Sequence, residues 1–262
     1  MRSDDWVRLG SVLARPDAAG EVAALGLAEG RPPEGARALR LAPLHRTFLV
    51  PGVAGAERIL KFHRGRPILD LLRDVPTGRA LLPPARIECE NLLELRERGF
   101  SVPEPIAWGR EGPESFALLR PVPGIPLDAW HRRTADRAAR RRVLGDLARL
   151  LARFHDEGRY HRDLYACHVL VSAHGGLSLI DLARARRGWF VRRRWFVKDL
   201  AALAFSLPSP SVSGADRIRF LRAYLDARGR ARGLRRWARA IRRRLGRLIE
   251  RERRGTVDCA SR

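Results

Sequence analysis

The chain of 262 residues is short of lysine, cysteine and long apolar runs. No apolar run approaches the roughly 18 residues that a membrane-spanning helix needs, and the first residues lack the apolar core of a signal peptide. The three cysteines, Cys89, Cys167 and Cys259, are scattered and have no metal-ligand spacing. These absences argue against a membrane-spanning or secreted protein and predict a cytoplasmic one.

Arginine supplies almost all of the basic charge. Of 52 basic residues only Lys61 and Lys198 are lysines, and the formal net charge is +23. Such a charge favours anionic partners, namely nucleotide phosphates, phosphorylated glycolipid, membrane headgroups or nucleic acid. Hydrophobic residues make up 45% of the chain, which is enough to form the core of one domain or one two-lobed unit.

Lys61 stands out because lysine is so rare. It belongs to the strand-like run of residues 57–62, in which Ile59 and Lys61 lie on the same face. An ammonium is a compact point charge, and a planar guanidinium replaces it poorly where one nitrogen must clamp phosphate oxygens. Lys61 is therefore a candidate nucleotide ligand, and an ordinary exposed strand lysine is the alternative.

The segment His161-Arg162-Asp163-Leu164-Tyr165-Ala166-Cys167-His168 is the most informative in the chain. A short apolar strand, a glycine turn and a second strand ending at Asp181 follow it. Asp163 and Asp181 are thus delivered to one edge of a hairpin. Phosphoryl transfer needs such a pair, one acid to orient the acceptor hydroxyl and one to hold a metal on the nucleotide phosphates. A capped turn is the alternative for Asp163.

The first half of the chain is predicted to be rich in strands. Short strands and turns come first, although residues 1–40 match no clear pattern, and a helix follows over residues 84–98. Glu88 and Glu90 lie in the first half of that helix, and either can reach Lys61. We favour Glu88 because it stands one turn before an inward-facing leucine.

The second half is predicted to be mainly helical. Residues 120–126 contain three prolines and one glycine, and backbone groups in such a linker can hydrogen-bond an adenine edge. The pattern predicts an α+β, two-lobed fold with a small β-rich N-lobe containing one helix and a larger, mainly helical C-lobe. The expected boundaries are 1–119 for the N-lobe, 120–126 for the hinge, 127–253 for the C-lobe and 254–262 for a disordered tail.

The chain resembles the protein-kinase-like superfamily in the order of its candidate residues, which are Lys61, Glu88, Asp163 and Asp181. It is most similar to the bacterial lipopolysaccharide core kinases, which phosphorylate heptose or Kdo sugars on the lipid A–core. The similarity extends from about residue 45 to residue 225. It rests on residues 88–92 with 102–105, 161–168, 180–182 and 198–203.

The resemblance implies a kinase whose catalytic residues lie in the His161 segment. Asp163 would be the catalytic base, and His161 and Arg162 would act beside it in the same loop. Asp199 would match an acid that braces this loop through its backbone amides.

The resemblance also implies ATP and Mg²⁺ as cofactors. Lys61 and Glu88 would serve the phosphates of ATP, and Asp181 would bind the metal. His168 stands where protein kinases usually carry asparagine. It would bind either the metal, or Asp163 or a phosphate, and a plain buried histidine is the third possibility.

The region after Asp181 predicts the kind of acceptor. Only seventeen residues separate Asp181 from Asp199, with no Ala-Pro-Glu sequence between them, which leaves little room for a peptide-docking segment. Residues 184–196, the basic aromatic segment, interleave six arginines with four aromatic residues. This composition suits an anionic glycolipid acceptor, and a solvated loop anchored by its aromatics is the alternative.

The last predicted helix is rich in arginine and carries one apolar stripe. Its members recur at spacings of three and four: Leu234, Trp237, Ile241, Leu245 and Leu248. We favour packing of this stripe on the C-lobe over peripheral contact with the inner membrane surface.

The predicted function is ATP-dependent phosphorylation of a sugar hydroxyl on a lipopolysaccharide-core-like glycolipid. One alternative is a small-molecule phosphotransferase of the aminoglycoside or choline type, which usually has asparagine at the position of His168. Another is a basic, nucleic-acid-binding pseudokinase, against which the joint presence of Lys61, Asp163 and Asp181 argues. The expected partners are ATP, an anionic glycolipid and, through peripheral contact of this cytoplasmic protein, the inner membrane surface. No nucleic acid is expected, and the chain is expected to be monomeric.

Overall fold

The chain folds into two compact units, Met1–Val122 and Pro123–Arg262. The division falls inside the proline-rich segment 120–126 that the sequence identifies as a linker. No helix in the described part of the chain is both long and apolar enough to cross a membrane. The computed structural model describes residues 6–27, 32–52, 55–65, 75, 78–188, 193–207 and 212–255.

An antiparallel sheet of seven strands forms the first unit. Its strands are β1 (Val7–Leu9), β2 (Val12–Ala14), β3 (Arg37–Ala42), β4 (His45–Pro51), β5 (Glu57–His63), β6 (Glu104–Glu111) and β7 (Glu114–Arg120). They lie in the order β1-β2-β6-β7-β5-β4-β3, which places β5 between β4 and β7 with hydrogen bonds on both sides. β4 and β5 pair as antiparallel neighbours, and β5 contains the strand-like run of Lys61.

Strand β5 has two different faces because successive side chains of a strand point in opposite directions. Leu60 and Phe62 enter the hydrophobic core of the first unit. Ile59 and Lys61 lie on the other face, as the alternation predicts. Helix α2 (Pro84–Glu97) packs against β5, β6 and β7. Its buried Glu88 contacts the side chain of Lys61. The sequence predicted this helix to within one residue.

The N-terminal residues form two of the short strands predicted there and one helix that was not predicted. β1 and β2 extend the sheet through β6, and a short helix, α1 (Ala19–Ala24), follows them. Glu21 of α1 forms a buried, bidentate ion pair with Arg58 of β5, at 2.8 and 3.1 Å. The first unit therefore contains a second, short helix beside the single helix expected.

The described part of the second unit is mainly helical. Its helices are α3 (Leu127–Arg133), α4 (Arg137–Asp156), α5 (Arg193–Ser206), α6 (Gly214–Ala227) and α7 (Leu234–Arg253). Two small sheets accompany them. One contains β8 (Ile125–Pro126), β10 (Val169–Val171) and β11 (Leu177–Leu179), and the other pairs β9 (Arg159–Tyr160) with β12 (Arg186–Arg187). β8 takes up the last two residues of the predicted linker.

Helices α4 and α7 each bury apolar side chains in the second unit. Asp136 caps α4 by accepting a hydrogen bond from the amide of Ala138, and the apolar face of the helix is buried, as predicted. α7 packs against α5 and α6, with Trp237 and Leu248 of its stripe buried. The preferred interpretation of the stripe is therefore confirmed. Residues 256–262 of the predicted tail lie outside the described part.

Candidate active site

The first unit brings Lys61 and Glu88 into direct contact. Nζ of Lys61 lies 2.7 Å from Oε1 of Glu88, and the glutamate is almost fully buried. β5 supplies the lysine and the first half of α2 supplies the glutamate. A buried carboxylate fixes the ammonium at one position, which is what a phosphate-clamping lysine needs.

The partner of Lys61 is Glu88, the residue favoured from the sequence, and not Glu90. Glu90 binds Arg86 one turn earlier in the same helix, at 2.9 Å. Oε2 of Glu88 lies 3.1 Å from Nε2 of the buried His63. Glu88 is thus held from two sides, by a lysine and by a histidine of the same strand. No pattern in the sequence points to His63.

In the second unit, Asp199 holds the loop that carries Asp163, the candidate catalytic base. Its carboxylate accepts hydrogen bonds from the backbone amides of His161, at 2.6 Å, and Arg162, at 2.8 Å. Asp199 lies on α5 and is completely buried. This is the bracing contact that the resemblance implies. It fixes the main chain immediately before Asp163.

The side chains of His161 and Arg162 are buried, unlike that of Asp163, the residue expected to react. Nε2 of His161 donates to the carbonyl oxygen of Ile180 at 3.0 Å, which ties the loop to the residue before Asp181. Burial lowers the pKa of His161, so the ring is neutral at pH 7. Arg162 has a positive φ of 76°. Both side chains lie inside the unit, and their catalytic role stays a prediction.

Asp163 lies beside a cation. Nη1 of Arg184 binds its carboxylate at 2.9 and 3.2 Å. Sequence reasoning placed Arg184 in the basic aromatic segment and not next to the catalytic acid. Only two residues separate Arg184 from Asp181, and this short distance along the chain was the only available signal.

His168 connects the two candidate acids. Its Nδ1 lies 2.7 Å from the backbone oxygen of Asp163. A carbonyl oxygen only accepts, so Nδ1 carries a proton and donates it. Nε2 lies 3.5 Å from Oδ2 of Asp181. His168 is thus bonded to the main chain of Asp163 and faces Asp181. No group of three or more His, Cys, Asp or Glu side chains in the described part of the chain forms a metal site, so the metal role of His168 and Asp181 stays a prediction.

A polar network that the sequence did not reveal lies under Asp199. His155, at the end of α4, has Nε2 3.5 Å from the Asp199 carboxylate and Nδ1 2.8 Å from the Tyr224 hydroxyl. Arg228 donates to the same hydroxyl and to Asp156. Burial lowers the pKa of His155. The network supports the residue that braces the catalytic loop.

The second lysine of the chain also lies near the candidate acids. Lys198 precedes Asp199 on α5 and is largely buried, and burial lowers its pKa even though the charges of Asp163 and Asp199 act in the opposite direction. The rarity that identified Lys61 applies equally to Lys198. That signal was present in the sequence and was not used for this residue.

The basic aromatic segment is only partly within the described residues, since 189–192 lie outside them. Its described members go to different places. Arg184 binds Asp163, Trp195 stacks on Tyr160 with ring centroids 5.1 Å apart, and Arg193 lies over the ring of Trp237. The segment therefore does not act as one continuous solvated face.

Known proteins resemble this chain over most of its length. Residues 43–224 match the Lipopolysaccharide kinase (Kdo/WaaP) family. A lipopolysaccharide core heptose(I) kinase, WaaP, from Pseudomonas aeruginosa is 32% identical over 66% of this chain and 70% of its own length. The protein of the same name from Escherichia coli is 29% identical over 67% and 72%. A 3-deoxy-D-manno-octulosonic acid kinase from Xanthomonas campestris is 35% identical over 46% and 48%.

The family match covers more than half of the chain and includes every candidate residue described above. The match agrees with the α+β fold and with the positions of the candidate acidic residues Glu88, Asp163 and Asp181. The alternatives of a small-molecule phosphotransferase and of a nucleic-acid-binding pseudokinase lose their support. The chain belongs to the lipopolysaccharide kinase (Kdo/WaaP) family.

Proposed function

We propose that the protein transfers the γ-phosphoryl group of ATP to a sugar hydroxyl of the lipopolysaccharide core. Family membership supports the kinase activity. The observation that carries the mechanism is the clamped loop before Asp163, whose two preceding backbone amides both bind Asp199. A catalytic carboxylate held in this way keeps its orientation while the substrate approaches.

The residues divide the work as follows. Asp163 orients the acceptor hydroxyl and accepts its proton during transfer. Lys61, fixed by Glu88, binds phosphate oxygens of ATP. Asp199 and His161 position the loop without touching the substrate. Backbone groups of residues 120–126 bind the adenine edge.

Asp181 and His168 are the residues that would hold Mg²⁺. Mg²⁺ usually binds one or two carboxylates together with phosphate oxygens and water, and the Asp181 carboxylate, with the His168 ring 3.5 Å away, fits that pattern. When bound, it would neutralise charge on the phosphate oxygens. In an Asp181→Ala variant we expect Mg-ATP to bind at least tenfold more weakly by calorimetry, with metal-free ATP little changed. Equal affinities would place the metal elsewhere.

The acceptor is a sugar carried by an anionic lipid. The short interval between Asp181 and Asp199 leaves little room for a peptide substrate. Arg184, which binds Asp163, stands where an incoming hydroxyl must arrive, so the acceptor has to displace or share this contact. We propose that the basic aromatic segment recognises the anionic groups of the acceptor through its arginines.

We also propose that the protein works in the cytoplasm and contacts the inner membrane surface peripherally. The apolar stripe of α7 is used in packing, but the helix exposes many arginines on its outer side, including Arg235, Arg239, Arg243 and Arg247. Such a face attracts anionic headgroups by about 1 kcal/mol per basic residue near the surface.

The test is transfer of labelled γ-phosphate from ATP to purified glycolipids. One acceptor carries heptose on the Kdo–lipid A core, and the other ends at Kdo. We expect transfer to the heptose-containing acceptor, because the matched heptose kinase is covered over 70% of its length and the Kdo kinase over 48%. Transfer to Kdo alone would change the sugar and leave the kinase intact. No transfer to either would contradict the proposed function.

A further inference from the structure

The second unit contains an arginine-lined pocket away from the catalytic acids. It has a volume of about 660 Å³ and lies between the start of α5 and the start of α7. Its lining includes Arg193, Arg230, Arg232, Arg236, Gly233 and Trp237. No acidic side chain is among its lining residues in the described part of the unit. We call it the arginine pocket.

The pocket has a rigid side. The guanidinium of Arg193 lies 5.0 Å from the ring centroid of Trp237, and its Nη2 donates to the backbone oxygen of Arg236 at 2.8 Å. Trp237 is buried and packs against Tyr224, with ring centroids 5.7 Å apart. Gly233 gives the indole room, since a Cβ there would lie 3.1 Å from its Cδ1 atom. Arg193 is therefore preorganised.

One donor in the pocket is not used by the protein. Nε of Arg193 is buried and has no hydrogen-bond partner among the described residues. A buried donor without a partner destabilises the folded state, and a side chain with such a donor gains when it turns toward a bound acceptor.

The charges of the pocket also lack compensation. Burial lowers the pKa of Arg193, and so does the neighbouring positive charge of Arg236. Arg230, Arg232 and Arg236 are exposed and add three more positive charges at the rim. Guanidiniums bind phosphate with two parallel hydrogen bonds, so an anion with several oxygens matches both the charge and the donors.

We infer that the arginine pocket binds the phosphate group of a phosphorylated sugar or of an anionic lipid headgroup. A bare inorganic anion would leave most of 660 Å³ unfilled, whereas a sugar-sized body bearing phosphate fits the volume. None of the pocket residues has a role in the proposed phosphoryl transfer except Arg193, which belongs to the basic aromatic segment. Binding is read directly, so the inference can fail while the kinase activity stands.

The experiment compares two double variants of the full chain. Arg230→Gln with Arg232→Gln removes two pocket charges, and Arg137→Gln with Arg222→Gln removes two exposed charges, of α4 and α6, that neither line the pocket nor belong to the arginine face of α7. All four positions are exposed, so both variants should fold, and thermal unfolding checks this. Glucose 1,6-bisphosphate is titrated by calorimetry, and vesicles of phosphatidylcholine with and without phosphatidylglycerol are tested by sedimentation.

We expect the pocket variant to bind roughly a hundredfold more weakly, since each lost charge-assisted contact is worth about tenfold, and the control variant to change by less than about threefold. A selective loss for the soluble sugar phosphate identifies a sugar ligand, and a selective loss for the vesicles identifies a lipid headgroup. Equal changes in the two variants, or none in either, overturn the inference. Arg236→Lys, which keeps the charge but not the paired hydrogen bonds, should also weaken binding.

Discussion

The two units hold their candidate reactive groups in different ways. In the first unit a side chain fixes a side chain, because Glu88 of α2 binds Lys61 of β5, while the β5 backbone is held separately by β4 and β7. In the second unit a side chain fixes the main chain, because Asp199 binds two backbone amides of the loop before Asp163. The first arrangement sets the position of one nitrogen, and the second sets the path of a loop.

The difference extends to backbone strain. Among the described residues other than glycine, only Arg162 and Asp181 have positive φ values, 76° and 58°. Such conformations cost on the order of 1–3 kcal/mol each and persist where the surroundings enforce them. Both lie in the second unit. Asp181 is itself a candidate acid, and Arg162 directly precedes the other, Asp163. Function there should depend on structural support, whereas Lys61 should be replaceable without harm to the fold.

The largest expected effect is that of Asp163→Asn. The change keeps the shape of the side chain but removes the proton acceptor, so the rate of phosphoryl transfer should fall by roughly 10²-fold or more. Mg-ATP affinity and the unfolding midpoint should change little. Asp146→Asn, at an exposed position of α4, is the matched control. Near-normal turnover in folded Asp163→Asn would show that another residue is the base.

The next largest effect is expected for Asp199→Asn, which tests the contact between Asp199 and the loop before Asp163. An amide side chain has one acceptor oxygen, so one of the two buried backbone amides loses its partner. We expect a loss of about 2–3 kcal/mol in the free energy of unfolding and slower transfer in the protein that remains folded. Urea titration measures the first and an activity assay at low temperature the second. Asp226→Asn, exposed on α6, should do neither.

If Asp199→Asn lost activity with full stability, the carboxylate would act on the substrate and not on the loop. If it changed neither property, the bracing contact would be unimportant.

The sequence predicted the parts of the site that depend on local order along the chain. The hairpin between Asp163 and Asp181, the helix carrying Glu88 and the rare Lys61 are all local signals. It did not predict Arg184 beside Asp163, or His155 and Tyr224 under Asp199. Those contacts join residues from different elements, and their side chains carry no pattern that distinguishes them from the other arginines and buried aromatics of the chain. α1 was missed because a helix of six residues is too short for a helical period to show.

A smaller effect is expected for Lys61→Arg, which tests the first unit. The charge is kept, but the wide, planar guanidinium cannot occupy the position of a compact ammonium against Glu88. Activity should fall by roughly tenfold, which corresponds to about 1.4 kcal/mol, and the free energy of unfolding should hardly change. Glu88→Gln should act in the same direction, and Glu90→Gln is its control on the same helix. Full activity of Lys61→Arg would make it an ordinary strand lysine, and global unfolding would remove the contrast between the units.

The smallest effect is a pH dependence of stability that belongs to the second unit. Burial lowers the pKa of His155 below the ordinary value of 6.5, although Asp199 partly opposes the shift. The folded state therefore keeps this ring neutral where the unfolded chain would protonate it. The contribution to stability is fully present above about pH 6.5 and is lost as the pH falls from there towards the folded pKa, by at most ~1.4 kcal/mol per pH unit for one proton.

Urea titrations between about pH 7.5 and about pH 5 should show this loss, since the paired carboxylates titrate lower. His155→Gln should reduce the slope of stability against pH, whatever it does to stability itself, because it removes the group whose protonation differs between the folded and unfolded states. His174→Gln, at an exposed position in the turn after β10, should leave the slope unchanged. The buried His131 and His161 shift in the same direction, so part of the slope should remain. An identical slope in His155→Gln and in the unmodified chain would mean that the network under Asp199 does not control the acid sensitivity of this unit.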